Sequence, residues 1–195
     1  MSRNSYWKDA VWSMPLEVVP LKPFIVFRNV LPDRVRTRLV KRYAAKTQRL
    51  VAGKTEIATG MEYAHPVDVR QAPVEVDGNE DLYGSICEML AKANSHYRIV
   101  LTGIYEPFRF CQYGTGAFSG MHSDYGCNDR SKLTFTMKLS DDYTGGSLRI
   151  LGEKTPTLNV GDAVVFPAWQ AHEVLPCKSG VRQVLVGWAS GPQLT

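Results

Sequence analysis

Four histidines, His65, His96, His122 and His172, are the whole imidazole supply of this 195-residue chain, so any histidine chemistry has a short list of candidates. One of them stands in the run MHSDYG, two residues before Asp124. On an extended chain, side chains two residues apart leave the same side of the backbone, so His122 and Asp124 can hold adjacent positions of one divalent metal. A third ligand has to come from elsewhere. His172, in FPAWQAHEVLP after an apolar strand-like run, is the best placed. Cys127 follows Asp124 by three residues, but no second cysteine or histidine stands near it at zinc-finger spacing.

Two histidines and a carboxylate on one face of an octahedral ion leave three positions open, an arrangement that suits non-haem Fe(II). Ten residues after His172 comes Arg182, in GVRQVLVGW, with Trp188 six further on. An arginine pointing inward from a core strand is a buried charge that needs an anion. Guanidinium matches a carboxylate through two parallel hydrogen bonds. A metal with open positions beside an anchored carboxylate site points to a keto-acid co-substrate that chelates the metal and is held at its far end. Tyr113, nine residues before His122, could add a phenol to that carboxylate site.

The elements that must position these residues divide the chain in two. FIVF at 24–27 reads as a strand. A helix opens near Pro32 and Asp33, with Leu31, Val35, Leu39 and Tyr43 on one face and Arg34, Arg36, Arg38, Lys41 and Arg42 on the solvated one. Residues 51–77 carry Gly, Pro and short β-like pieces without a clear pattern, and His65 and Met61 fall among them. A second helix is expected from about Asn79 to Asn94, with Leu82, Ile86, Met89, Leu90 and Ala93 at helical spacing; His96 ends it. Beyond Tyr97 the pattern changes to short strands, RFCQY, KLTFTMKL, SLRIL, AVVFP and QVLVGWA, separated by the turn clusters GTG, DDYTGG, NVGD and CKSG. In KLTFTMKL, Leu133, Phe135, Met137 and Leu139 alternate with Lys132, Thr134, Thr136 and Lys138, giving a strand with two unlike faces. Helices first and many short strands afterwards predict an antiparallel sandwich or barrel braced by helices on one side.

Composition narrows the class. The length favours one domain, and 44% hydrophobic with 22% charged residues excludes a disordered chain or a disulfide scaffold. The net charge of +4 is mild and shows no clustered basic stripe of the nucleic-acid-binding kind. No stretch approaches the ~20 apolar residues of a membrane-spanning helix. The N-terminal MSRNSYWKDAVWSMP lacks a continuous apolar run, so no signal peptide is read and a cytoplasmic location is expected. Cys87, Cys111, Cys127 and Cys177 are scattered and read as free thiols. The aromatic segment with Tyr6, Trp7 and Trp12 could pack on its own core or on a neighbour.

The run FRFCQYGTGAFSGMHSDYG, then RSKLTFTMKLSDDYTGGSLRI, then LNVGDAVVFPAWQAHEVLPCKSGVRQVLVGWASGP resembles the iron- and 2-oxoglutarate-dependent dioxygenases, specifically the prolyl 4-hydroxylase-like group. The likeness covers Glu106 to Pro192 with five landmarks in order: Tyr-Gly, H-x-D, D-Y-x-G-G-x-L, G-D-x-x-x-F-P, and H-x-V-x-P followed by G-x-R and Trp. The front hundred residues match only loosely, as the helices that brace the barrel in this family. The resemblance implies a mainly β double-stranded β-helix, or distorted jelly roll, with bracing helices. It implies one domain over residues 1–195, about 1–100 a helical brace with a variable loop and about 101–195 the catalytic β-core.

The resemblance further implies His122, Asp124 and His172 as iron ligands and catalytic residues. Arg182 is then expected to bind the distal carboxylate of 2-oxoglutarate, with Tyr113 bonding to it or to substrate. Thr134, Thr136 or Lys138 assists, without the resemblance saying which. Fe(II), 2-oxoglutarate and O2 are the implied cofactor and co-substrates, with ascorbate as a supporting reductant. Many prolyl 4-hydroxylases have lysine where this chain has Arg182, which favours the broader bacterial- and phage-type hydroxylases over collagen-type enzymes. The implied reaction is hydroxylation of a peptidyl, prolyl or small-molecule substrate shaped by Tyr125, Arg130 and Trp169. Two other readings compete. Alkylated-base demethylases carry N-x-T-x-R after the last histidine, where this chain reads RQVLVGWASG, which disfavours nucleic acid. A non-enzymatic jelly-roll binding module is disfavoured by the intact set of His122, Asp124, His172 and Arg182.

Overall fold

The computed structural model describes residues 21–49, 67–125 and 130–193. Tyr6, Trp7, Trp12, Met61, His65 and Cys127 lie outside the described residues. Among the described residues no helix is long and apolar enough to cross a membrane.

In chain order the elements are β1 (Ile25–Phe27), α1 (Asp33–Tyr43), β2 (Gln48–Arg49), β3 (Val67–Val74), α2 (Glu80–Tyr97), β4 (Phe108–His122), β5 (Ser131–Lys138), β6 (Tyr143–Gly145), β7 (Leu148–Ile150), β8 (Glu153–Lys154), β9 (Ala163–Pro167), β10 (His172–Val174), β11 (Cys177–Gly180) and β12 (Arg182–Ser190). A long antiparallel sheet runs β1-β9-β5-β12-β4, and β3 with β2 continues it beyond β4. From β4 a second sheet, β10-β7-β8, curls back. The result is the curled half-barrel of a jelly roll, with two helices on its outside. Both helices and the five expected strands of the second half fall where the helical and alternating patterns put them, and Leu31, Val35, Leu39, Leu82, Ile86 and Ala93 are all at most 2% exposed.

The long sheet is buried on both faces. In β5, Leu133, Phe135 and Met137 join the cluster under the helices, while Thr134 and Thr136 are buried on the other side, toward the curl. In β12, Leu185 and Ala189 face the helices, and Arg182, Val184, Val186 and Trp188 share the inner face by the same period of two. In β9, Ala163 and Val165 face outward to the helices while Val164 and Phe166 face inward. The unlike faces of KLTFTMKL are therefore a brace-facing side and a site-facing side.

Three expectations from the sequence need correction. The GTG cluster is no turn: Gly114, Thr115 and Gly116 lie within the 15-residue strand β4, which pairs β12 and β3 in its first half and β10 in its last. Gly116, at φ +84°, lets the strand bend there between the two sheets. The clusters DDYTGG and CKSG pair with each other as the small sheet β6–β11. The front hundred residues are also more than a helical brace, since β1 pairs β9 and β3 pairs β4 along seven register positions.

Gly187, on the helix-facing side of β12, makes room for two aromatic rings of the strands beside it. A Cβ there would lie 2.4 Å from Phe108 Cδ1 and 2.7 Å from Phe135 Cε1, side chains that are fully buried. Gly187→Ala should cost about 2 kcal/mol and lower Tm by about 5 °C in a calorimetric scan. An unchanged Tm would mean that the two rings can give way.

Candidate metal and co-substrate site

The last residue of β4 and the first of β10 are paired in register, and they are His122 and His172. Directly opposite residues share a face, which brings the two rings to 4.3 Å between centroids. Asp124 comes just after β4, where its N–H donates to Ala168 O at 2.9 Å in the turn between β9 and β10. His122 Nε2 lies 3.5 Å from Asp124 Oδ1, and His172 Nε2 lies 3.5 Å from Asp124 Oδ2. One ligand atom from each residue falls within 4.8 Å of the others.

The surrounding backbone fixes which nitrogen faces the centre. His122 Nδ1 is 2.8 Å from Gly120 O and His172 Nδ1 is 3.0 Å from Gln170 O. Each Nδ1 therefore carries a proton toward a carbonyl and leaves the Nε2 lone pair free for a metal. Thr134 Oγ1 donates to Asp124 Oδ2 at 2.7 Å and orients the carboxylate. Trp188 is directly opposite Thr134 in the β5–β12 pair, and its buried indole N–H, without a partner at full bonding distance among the described residues, lies close enough to the carboxylate to favour its charge. Phe166 packs edge-on against His172 at 4.8 Å.

Burial pushes the Asp124 carboxyl upward, but hydrogen bonding to His122, the nearby His172 and the bond from Thr134 outweigh it and hold the pKa at about 2. At His122 burial favours the neutral ring, yet the bond to Asp124 wins and its pKa lies above the ordinary value. At His172 burial dominates and lowers it. A ligand imidazole must be neutral to bind metal, so proton competition falls on His122 first as pH drops. The apparent Co(II) affinity, followed by visible absorbance, should weaken as pH falls below His122's raised pKa, because each metal bound there then displaces a proton. An apparent affinity that does not change with pH through that range would contradict the role of His122.

Arg182 opens β12 and is paired in register with Tyr113 of β4. It is 5% exposed, with its guanidinium 4.9 Å from the Tyr113 ring centroid, and its Nη1 is buried without a hydrogen-bond partner among the described residues. Burial pushes the Tyr113 phenol far up, so it stays a neutral hydroxyl. Gly146, the second glycine of DDYTGG, makes room for this arginine: at φ +59°, a Cβ there would stand 2.8 Å from Arg182 Cδ. The arrangement fits iron with 2-oxoglutarate. The metal-facing atoms are two imidazole nitrogens and a carboxylate, and the unpartnered Arg182 Nη1 on the same inner face is a ready partner for an incoming carboxylate.

The remaining expected residues are placed differently. Thr134 spends its hydroxyl proton on Asp124 rather than on a co-substrate. Lys138 keeps to the inner-face register, but its ammonium donates to Leu158 O at 2.9 Å, pairs with Asp141 and lies over the Tyr143 ring. Its charge is thus already committed at the end of the sheet. Tyr125 has Lys132 over its ring at 4.6 Å, Arg130 lies over Tyr105 at 5.7 Å, and Trp169 is 44% exposed in the turn before His172. None of these three is joined to the triad by a described hydrogen bond or ion pair. Sequence reasoning passed over the Trp188 indole and Gly146 as site-shaping groups, although the spacing from Arg182 and the paired glycines were both visible. Cys87, Cys111 and Cys177 are free thiols, as expected.

Residues 108–190 match the family described as the 2OG-Fe(II) oxygenase superfamily. A PKHD-type hydroxylase of Prochlorococcus marinus (strain MIT 9211) is 40% identical over 86 residues, covering 40% of this chain and 39% of its own. The chain thus matches about two fifths of the length of such curated relatives. Among solved structures, a Pseudomonas putida prolyl-4-hydroxylase superposes with a TM-score of 0.65 at 21% identity, over 87% of this chain and 93% of its own. A Trichoplax adhaerens prolyl hydroxylase, in complex with a hypoxia inducible factor oxygen degradation domain peptide fragment, gives 0.65 at 16% identity over 86% and 83%. With its ordered motifs and its His-Asp-His cluster, the stretch 108–190 is similar to the 2OG-Fe(II) oxygenase superfamily, and the jelly roll around it has the fold of solved prolyl hydroxylases.

Proposed function

We propose that the chain is an Fe(II)- and 2-oxoglutarate-dependent hydroxylase acting on an unactivated C–H bond of a peptidyl substrate, a prolyl residue first among the candidates. The observation that carries this reading is the unpartnered Nη1 of buried Arg182, on the inner face of the same barrel whose His122, Asp124 and His172 converge. A buried cation without an anion is costly to keep in a fold unless a ligand completes it. The likeness to a PKHD-type hydroxylase and to prolyl hydroxylases, one of them bound to a peptide, supports the hydroxylase class and the peptidyl substrate.

In this reading His122, Asp124 and His172 would hold iron and Arg182 would hold the distal carboxylate of 2-oxoglutarate, with the Tyr113 hydroxyl beside it. Iron and 2-oxoglutarate, when bound, supply the oxidation of a C–H bond by O2 with release of succinate and CO2. The chain's own work is positional. Gly120 O and Gln170 O keep both imidazoles in the metal-binding tautomer. Thr134 holds the Asp124 carboxylate in one orientation. Phe166, Val164 and Val184 wall the interior and keep water away from it.

Anaerobic addition of Fe(II) and 2-oxoglutarate should produce the weak visible charge-transfer band of a chelated keto acid. Admission of air should then release succinate. A protein that shows neither the band nor succinate would overturn the enzyme reading and leave the fold standing.

A further inference from the structure

The inner face of the main sheet continues past Trp188 into a groove of about 630 Å3 lined by Lys46, Gln48, Arg49, Gln71, Glu106 and Arg109, with Pro73 and Pro107. Arg109 is its link to the site. The guanidinium lies over the Trp188 ring at 4.7 Å, Trp188 stands opposite Thr134, and Thr134 holds Asp124. The groove therefore ends a few side chains from the proposed metal ligands.

Its lining sorts by what is already occupied. Arg109 donates to Glu106 at 2.9 Å, and Arg49 pairs with Asp68. Lys46 has no ion pair among the described residues; its ammonium lies over the Tyr43 ring at 5.8 Å. Gln48 and Gln71 have no side-chain hydrogen-bond partner among the described residues, and each amide offers both a donor and an acceptor. Paired donor and acceptor groups suit the main-chain amides of an extended peptide. Two carboxylates among the cations, Glu106 in the groove and Asp68 beside it, suit a continuous phosphate backbone poorly.

We propose that this groove seats the chain of the peptide substrate and that Lys46, its cation without an ion pair among the described residues, selects a peptide bearing a carboxylate side chain. This rests on the reading of the site as a peptidyl hydroxylase. It adds a substrate class, acidic rather than neutral or basic peptides, and names the residue that sets it.

Fluorescence anisotropy on the full chain, without turnover, tests it. The probes are labelled peptides with a central proline flanked by glutamate, by glutamine or by lysine. The glutamate peptide should bind at least about fivefold more tightly than the lysine peptide at low salt, with the gap narrowing as salt rises. Lys46→Glu should reverse that order and Lys46→Gln should flatten it. Equal affinities for the three peptides, no measurable binding of any, an order that survives both substitutions, or tighter binding of a single-stranded oligonucleotide would each overturn the proposal. The charge-transfer band of the wild-type protein is read separately. A band without peptide selectivity removes the groove assignment alone, and selectivity without a band removes the hydroxylase reading alone.

Discussion

Asp124→Ala should abolish iron loading and succinate release while leaving the barrel folded. The carboxylate is the one anion of the triad, and it stands between two imidazoles that bring no charge to offset a dication. Losing a group that only orients a ligand costs ~10–100-fold in metal affinity, and losing the charged ligand itself should exceed that range. Succinate formation is expected to fall by more than about 100-fold at saturating 2-oxoglutarate. The fold has no such dependence. Asp124 lies outside the strands, its N–H bond to Ala168 survives the substitution, and the pairing of β4 with β10 is a backbone matter. Tm should stay within about 4 °C of the wild-type value. Asp124→Ala protein that still turns over at the wild-type rate would remove Asp124 from the metal site.

Arg182→Leu should have the opposite signs in affinity and stability. The guanidinium is buried with Nη1 unpartnered, so the ligand-free protein carries its desolvation cost without a matching anion. Replacing such a charge with an apolar group of similar volume stabilises by ~1–4 kcal/mol in comparable cases, so a rise in Tm of several degrees is expected. The apparent KM for 2-oxoglutarate should rise by about 100-fold, as truncating one partner of a buried charge pair costs ~2–5 kcal/mol. Gly146→Ala reaches the same arginine from the other side. Its Cβ would displace the Arg182 stem, and a smaller rise of about 10-fold in KM should follow from that shift. If Arg182→Leu lowers Tm and leaves KM alone, the arginine is a packing residue and the co-substrate anchor lies elsewhere.

The His-Asp-His cluster and the arginine were legible because His122, His172 and Arg182 stand at strand ends, Asp124 follows His122 by two residues, and the order of motifs keeps them in company. The assisting group on β5 was not legible. Thr134, Thr136 and Lys138 share a face by periodicity, and only the tertiary partners, Asp124 for Thr134 and Leu158 with Asp141 for Lys138, separate them. Strand β3 escaped for a local reason. Asp68 sits at φ +53° and the register with β4 shifts between Val67 and Val69, which breaks the strand's alternation, and Pro73 reads as a breaker. The groove was invisible for the same reason, since one wall of it is β3.

Strand β4 belongs to both sheets, pairing β12 and β3 at Phe108–Tyr113 and β10 at His122. The two imidazoles therefore come within reach of one ion only after the curl has closed. The two histidines are fifty residues apart in the chain, so their meeting is a long-range contact that needs both sheets in place. Metal capture would then act as an assay of maturation: a chain that has not joined its two sheets offers one histidine and one aspartate, too little to retain a redox-active ion. A nascent or damaged chain would be spared the oxidation that a half-built iron site invites.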